Sequence, residues 1–165
     1  MEETFAMKKL LFLPVIALLF SLQGCSWTCS FYIANASNET ITVEMKLMDS
    51  PGGFPIFHYP KYYYGKLLSY SLKKNNSVNF ETSKEVEADT LENFSHYRFE
   101  IPPRTAIEIG QLQNDSYEKH DQCFINGRVF NLEKLSVAQK KIDIVPSTFD
   151  NYFKKGKYKE VYFVI

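Results

Sequence analysis

The chain carries no surplus of either charge: 19 Lys and Arg stand against 19 Asp and Glu in 165 residues. Without a basic excess there is no electrostatic footprint for nucleic acid or for anionic headgroups. There is also no apolar run of the roughly 20 residues that a membrane-spanning helix needs. The longest, Leu10 to Phe20, is too short and is interrupted by Pro14. No glycine-rich turn precedes a helical pattern, so a phosphate-cradling loop is not expected, and HExxH, CxxC and GxSxG are all missing. His58, His96 and His120 lie in separate segments without ligand spacing, so neither a metal nor a cofactor is expected. Ser71-Leu72-Lys73-Lys74 matches S-x-x-K but sits in a turn, and no K-T-G follows it.

What is present begins with Met7 to Cys25. Lys8 and Lys9 form a basic start, Leu10 to Phe20 an apolar centre, and Leu22-Gln23-Gly24-Cys25 closes the stretch. The order basic, apolar, small is that of an export signal. Glu2 and Glu3 precede it, which places the expected translation start at Met7. Leu22 to Cys25 resembles the lipobox of bacterial lipoproteins, with Gln23 where a small residue is usual. The resemblance implies cleavage before Cys25, acylation of its thiol and then of the freed amine, and membrane lipid as a partner. Acyl chains contribute about 0.8 kcal/mol per buried methylene, so two or three chains anchor permanently. Ser26 is not the Asp that retains such proteins in the inner membrane of enteric bacteria. The resemblance therefore implies the outer membrane, facing the periplasm.

The expected organisation is a signal over 1–24, a lipidated tether over 25–29 and a single β-sandwich domain over 30–165. Acylation would consume Cys25 and leave Cys29 and Cys123, an even pair in an oxidising compartment. A disulfide between them would stabilise the fold by about 4–5 kcal/mol in the chain-entropy model.

Aromatic residues make up 16% of the chain, which argues against disorder. Ser30 to Ala34 and Thr40 to Met48 read as strands, the second with Ile41, Val43, Met45 and Leu47 on one face. The turn cluster Asn35 to Glu39 between them predicts a first hairpin. His96 to Ile101 alternates in the same way, and Thr105 to Ile109 follows after two prolines. Asn126-Gly127 between Asp121–Ile125 and Arg128–Asn131 predicts a second hairpin with a type I′ turn. Leu132 to Gln139 and Pro146 to Lys154 read as short helices, with Phe149, Tyr152 and Phe153 of the latter facing inward. Lys141 to Val145 and Tyr158 to Ile165 read as strands, and Thr82 to Asn93 as a surface loop. Eight or nine short strands with one or two short helices predict an all-β antiparallel sandwich, Ig-like or barrel-like.

Asp89-Thr90-Leu91 resembles the O-glycosylation tripeptide of one group of bacteria, which implies a sugar on Thr90. The candidate binding surface is Phe54 to Tyr70, with seven aromatic residues. Tyr62, Tyr63 and Tyr64 cannot all face one core if extended, because side chains alternate. Grouped exposed rings suit a sugar or a protein partner, whereas a stretch folded over the sandwich would bury most of these rings as a satellite core. The expected function is non-enzymatic: an anchored envelope lipoprotein that binds or scaffolds an envelope protein or polysaccharide. The competing expectation is a small hydrolase of carbohydrate or peptide, in which Glu100 and Glu108 would face one cleft.

Overall fold

A computed structural model describes residues 26–59, 67–157 and 159–165. Its strands are β1 (Thr28–Asn35), β2 (Ile41–Leu47), β3 (Phe54–Pro55), β4 (Leu67–Leu72), β5 (Val78–Val86), β6 (Asp89–Glu92), β7 (His96–Ile101), β8 (Thr105–Gln113), β9 (Arg128–Val129), β10 (Leu132–Val137), β11 (Ile142–Ile144), β12 (Lys154–Lys155) and β13 (Glu160–Val164). Among the described residues one α-helix, α1 (Pro146–Tyr152), precedes β12. The fold is all-β. One sheet runs β12-β13-β1-β8-β4-β5, the other β11-β10-β2-β7-β6, and β3 pairs with β9 in a separate ribbon. Among the described residues the ladders are antiparallel except β1 with β13 and β3 with β9.

The core lies between the two large sheets. Phe31 and Ile33 of β1, with Ile107 and Ile109 of β8, meet Val43, Met45 and Leu47 of β2, with Tyr97, Phe99 and Ile101 of β7. β1 is buried on both faces. Its alternate residues Tyr32 and Ala34 enter a second apolar cluster with Tyr70, Val78 and Ala106 on the outer side of the first sheet. α1 starts with Pro146, whose missing N–H costs nothing in a first turn. It buries Phe149 and then Phe153 against the core, with ring centroids 4.0 Å apart. Tyr152 instead remains exposed.

Several sequence expectations are corrected. β1 and β2 do not form a hairpin: they lie in different sheets. The turn between them crosses the sandwich because the buried Asn35 amide stitches its corner. Its Nδ2 faces the carbonyls of Glu39 (2.7 Å), Ile101 (2.9 Å) and Pro102 (3.1 Å). Its Oδ1 accepts from Ser37 N–H at 3.0 Å.

The second hairpin is absent as well. Asn126 and Gly127 do take positive φ, as a type I′ turn requires. The residues after them nevertheless pair with β3 rather than with Asp121–Ile125. The Asp115 carboxylate accepts the Ile125 N–H at 2.9 Å and holds the incoming segment away.

Leu132 to Val137 is a strand, not a helix. Its register against β2 shifts between Leu132 and Lys134, so a bulge lets Leu132 and Leu135 both face the core. Three-residue spacing of apolar residues mimicked a helical period. Thr82 to Asn93 is largely strand, in β5 and β6, and Thr90 lies within β6.

Cys29 and Cys123 are both free. Cys29 is buried in the core, whereas the 121–124 segment turns Cys123 outward and stacks Phe124 on Tyr117 (centroids 6.5 Å). Finally, β1 begins at Thr28, within the stretch expected as tether.

Candidate functional site

The outer face of the first sheet holds a buried carboxylate among aromatic rings. On β8, Ile107 points into the sandwich core, so Glu108 points outward, yet it is only 4% exposed. It lies opposite Tyr32 on β1 and Leu68 on β4. Burying a carboxylate without partners costs several kcal/mol, so partners are required. Tyr70 Oη donates to Oε2 at 3.2 Å and Gln111 Nε2 donates to Oε1 at 2.7 Å. Burial, with the Glu108 charge, pushes the Tyr70 hydroxyl up to about 12, and burial raises Tyr32 further. Both phenols therefore stay protonated donors at neutral pH. Tyr32 stacks on Tyr162 (5.3 Å) and meets Tyr70 and Phe80 edge to face, with Phe80 exposed.

Gln111 links this face to a cavity of about 840 Å³. Two strand fragments build its wall. Ile56 to His58 continues the edge of β8 beyond β4: Gln111 N–H donates to Ile56 O, and His58 N–H to Ile109 O, each at 2.9 Å. The approach needs Gly110, because a Cβ there would lie 2.6 Å from Ile56 O. The β3–β9 ribbon forms the rim. It needs Gly53, whose Cβ would lie 2.5 Å from Gly127 O. Asn131, fully buried, bonds both main-chain groups of Phe57 and fixes the fragment from the core side.

Among the described residues, the wall offers planar polar groups and rings: His58, Gln111, Gln113, Arg128, Phe54 and Tyr59, together with Asp49. Arg128 donates to Pro55 O and Gln113 Oε1, both at 3.4 Å, and lies 5.9 Å from the Phe54 ring centroid. Asp49 accepts from Ser95 Oγ. Tyr97 Oη donates to His58 O at 2.9 Å, which anchors the histidine backbone. Desolvation lowers the His58 imidazole below its ordinary 6.5, against the opposing pull of the Glu108 charge. The ring is thus neutral at pH 7, able to donate from one nitrogen and accept at the other.

A second polar cluster binds the 115–121 loop to α1. The Asp150 carboxylate accepts from Tyr117 Oη, from His120 Nδ1 (2.8 Å) and from His120 N–H (3.3 Å). Burial works against its ionisation, but the bonds from Tyr117 and His120 outweigh this and hold the carboxyl below its ordinary 3.8.

Cys25, Tyr62, Tyr63 and Tyr64 lie outside the described residues. Glu100 and Glu108 are not brought together. Glu100 is exposed on the outer face of β7, and Glu108 is buried on the outer face of the opposite sheet. The three histidines are scattered: His58 is in the cavity wall, His96 lies near Glu44 and Glu92, and His120 sits on Asp150. Among the described residues no group of three or more His, Cys, Asp or Glu is placed to hold a metal ion, and no helix is long and apolar enough to cross a membrane.

No family model, curated protein or solved structure matches this chain. The site rests on its own geometry. Reading the sequence as strands and turns missed Gln111 and Gln113, which lie beyond the strand expected to end at Ile109, and Arg128, which lay in the expected second hairpin. The one usable signal was Phe54-Pro55, at the start of the aromatic stretch and just after Gly52-Gly53.

Proposed function

We propose that the protein is a membrane-anchored envelope lipoprotein with a non-enzymatic binding role, tethered through acylated Cys25 and taking its ligand in the cavity beside Gln111. The anchor reading rests on the lipobox-like Leu22 to Cys25, and the start of the folded domain sets how far from such an anchor it would sit. Trp27 N–H donates to Asn114 Oδ1 at 3.0 Å, and Asn114 N–H donates to Trp27 O at 2.8 Å. Lys159 Nζ lies 3.3 Å from the Trp27 ring centroid. The fold is therefore gripped two residues past Cys25, so an anchor there would hold the domain close to the lipid surface.

The observation that carries the binding reading is the cavity, with its amides, neutral imidazole and exposed ring. A glycosidase of the common two-carboxylate kind needs both groups across one cleft. Glu100 and Glu108 point away from each other on opposite sheets, and Glu108 is committed to Tyr70 and Gln111. Metabolic labelling with a fatty acid tests the anchor. The label should enter the wild-type chain and be missing from Cys25→Ser. An unlabelled wild type that fractionates as a soluble protein overturns the proposal.

A further inference from the structure

We propose that the cavity beside Gln111 binds an uncharged saccharide, with Phe54 as the stacking platform and Gln111, Gln113, Arg128 and His58 as its hydrogen-bonding wall. The inference rests on the binding reading given above and names its ligand class.

The platform comes first. Phe54 is 66% exposed at the cavity rim. β3 runs parallel to β9 with Phe54 opposite Arg128, and the guanidinium lies 5.9 Å from the ring centroid. The ring is held in place yet open to solvent. Sugar rings present patches of C–H on one face and hydroxyls round the edge. An aromatic face answers the first, and planar groups with paired donors and acceptors answer the second.

The wall supplies such groups. Gln111 and Gln113 stand two residues apart on β8 and so on the same side of the strand. Glu108 fixes one end of the Gln111 amide, and Arg128 leans on Gln113 Oε1. His58 stands in the same wall, its backbone held by Tyr97 Oη and its ring able to donate from one nitrogen and accept at the other. Charge argues against an ionic ligand. Among the described residues the wall holds one cation, Arg128, and one anion, Asp49, with the carboxylate of Glu108 behind Gln111. Among these described groups an acidic sugar would meet two carboxylates with one guanidinium in compensation. A cavity of about 840 Å³ is within the range of small-molecule sites and can take a short oligomer.

The test is calorimetric titration of the full lipidated chain, in a zwitterionic detergent, with cellotetraose and chitotetraose as neutral probes and tetragalacturonate as the charged one. Saturable binding of a neutral probe is expected. Phe54→Ala should weaken it by about tenfold or more, and Phe54→Tyr should restore it. Gln111→Ala should weaken it too. Because Phe54 is exposed, Phe54→Ala should melt with the wild type, which separates loss of binding from loss of fold. Absence of saturable binding, tighter binding of tetragalacturonate, or indifference to Phe54→Ala overturns the inference. Mass spectrometry of the recovered sugar separates this inference from the reading beneath it. A bound neutral sugar returned intact upholds both, whereas one bound and cleaved keeps the ligand class and overturns the non-enzymatic role.

Discussion

Asp150 shows how much one carboxylate can organise in a loop-rich corner. Its two oxygens hold Tyr117, His120 and the His120 backbone, and the Tyr117 ring in turn meets Phe31 and Phe149 edge to face. Substitution by Asn keeps the shape and removes the charge. Hydrogen bonds to ionised groups contribute about 1.5–3 kcal/mol, and partial exposure trims this, so Asp150→Asn should cost about 1–2 kcal/mol at pH 7. The sign of the pH dependence follows from the depressed folded pKa. The wild-type advantage is complete above the ordinary aspartate value of 3.8 and is lost as pH falls through the lower folded value. Urea melts of both proteins between pH 7 and pH 3 measure the gap. A gap that is absent at pH 7, or that widens on acidification, would contradict this role.

At the scale of elements, the cavity exists because two chain fragments lie closer to neighbouring strands than a β-carbon allows. Gly110 is the sharper case. A methyl group there would overlap Ile56 O and crowd the Phe57 ring, which lies 3.0 Å away. The clash is with backbone, so it cannot be relieved by a side-chain rotation. Gly110→Ala should push Ile56 to His58 off β8 and cost about 1–3 kcal/mol, in the range of overpacking a well-filled core. It should also speed hydrogen exchange at the His58 and Gln111 amides, which pair across this contact. Unchanged exchange at those two amides in the variant would show that the fragment does not depend on the glycine. The bulge in β10 belongs to the same scale. It lets a strand carry the leucine spacing of a helix, because one extra residue resets which side chains face inward.

For the whole molecule, the two free cysteines report on compartment and fold together. Cys29 is 3% exposed and burial pushes its thiol up, so it is shielded and protonated. Cys123 is exposed. Native protein should therefore take up maleimide at Cys123 alone, with Cys29 reacting only after denaturation and an acylated Cys25 not at all. Protection of Cys123 that reducing agent reverses would mean that the protein forms a disulfide through it after all. The placement of the cavity also matters at this scale. Gln113 pairs with Thr28, three residues past Cys25, and extended chain covers about 3.3–3.6 Å per residue. On the anchored reading a ligand in the cavity lies close to the membrane surface.

The sequence by itself determined the local elements whose apolar residues alternate with polar ones. β2 and β7 appear within a residue of their expected bounds, because period two with β-branched and aromatic residues has one half-buried solution. α1 starts at the expected Pro146 and buries Phe149, but it ends at Tyr152, two residues short of the expected Lys154, which lies in β12. All-β character followed from the number of such segments. Tertiary structure alone decided which strands became neighbours. The Asn35 turn and the Asn126-Gly127 turn are both legible in sequence, yet neither makes a hairpin, since a turn fixes chain direction and not the sheet that each arm joins. That choice fell to distant groups: the carbonyls of Ile101 and Pro102 for Asn35, and the Asp115 carboxylate and β3 for the segment around Gly127. The candidate site was illegible for the same reason. Phe54, His58, Gln111 and Arg128 come from three separate stretches of chain. They meet only because Gly53 and Gly110 let backbones touch and because β8 runs past the end of β4.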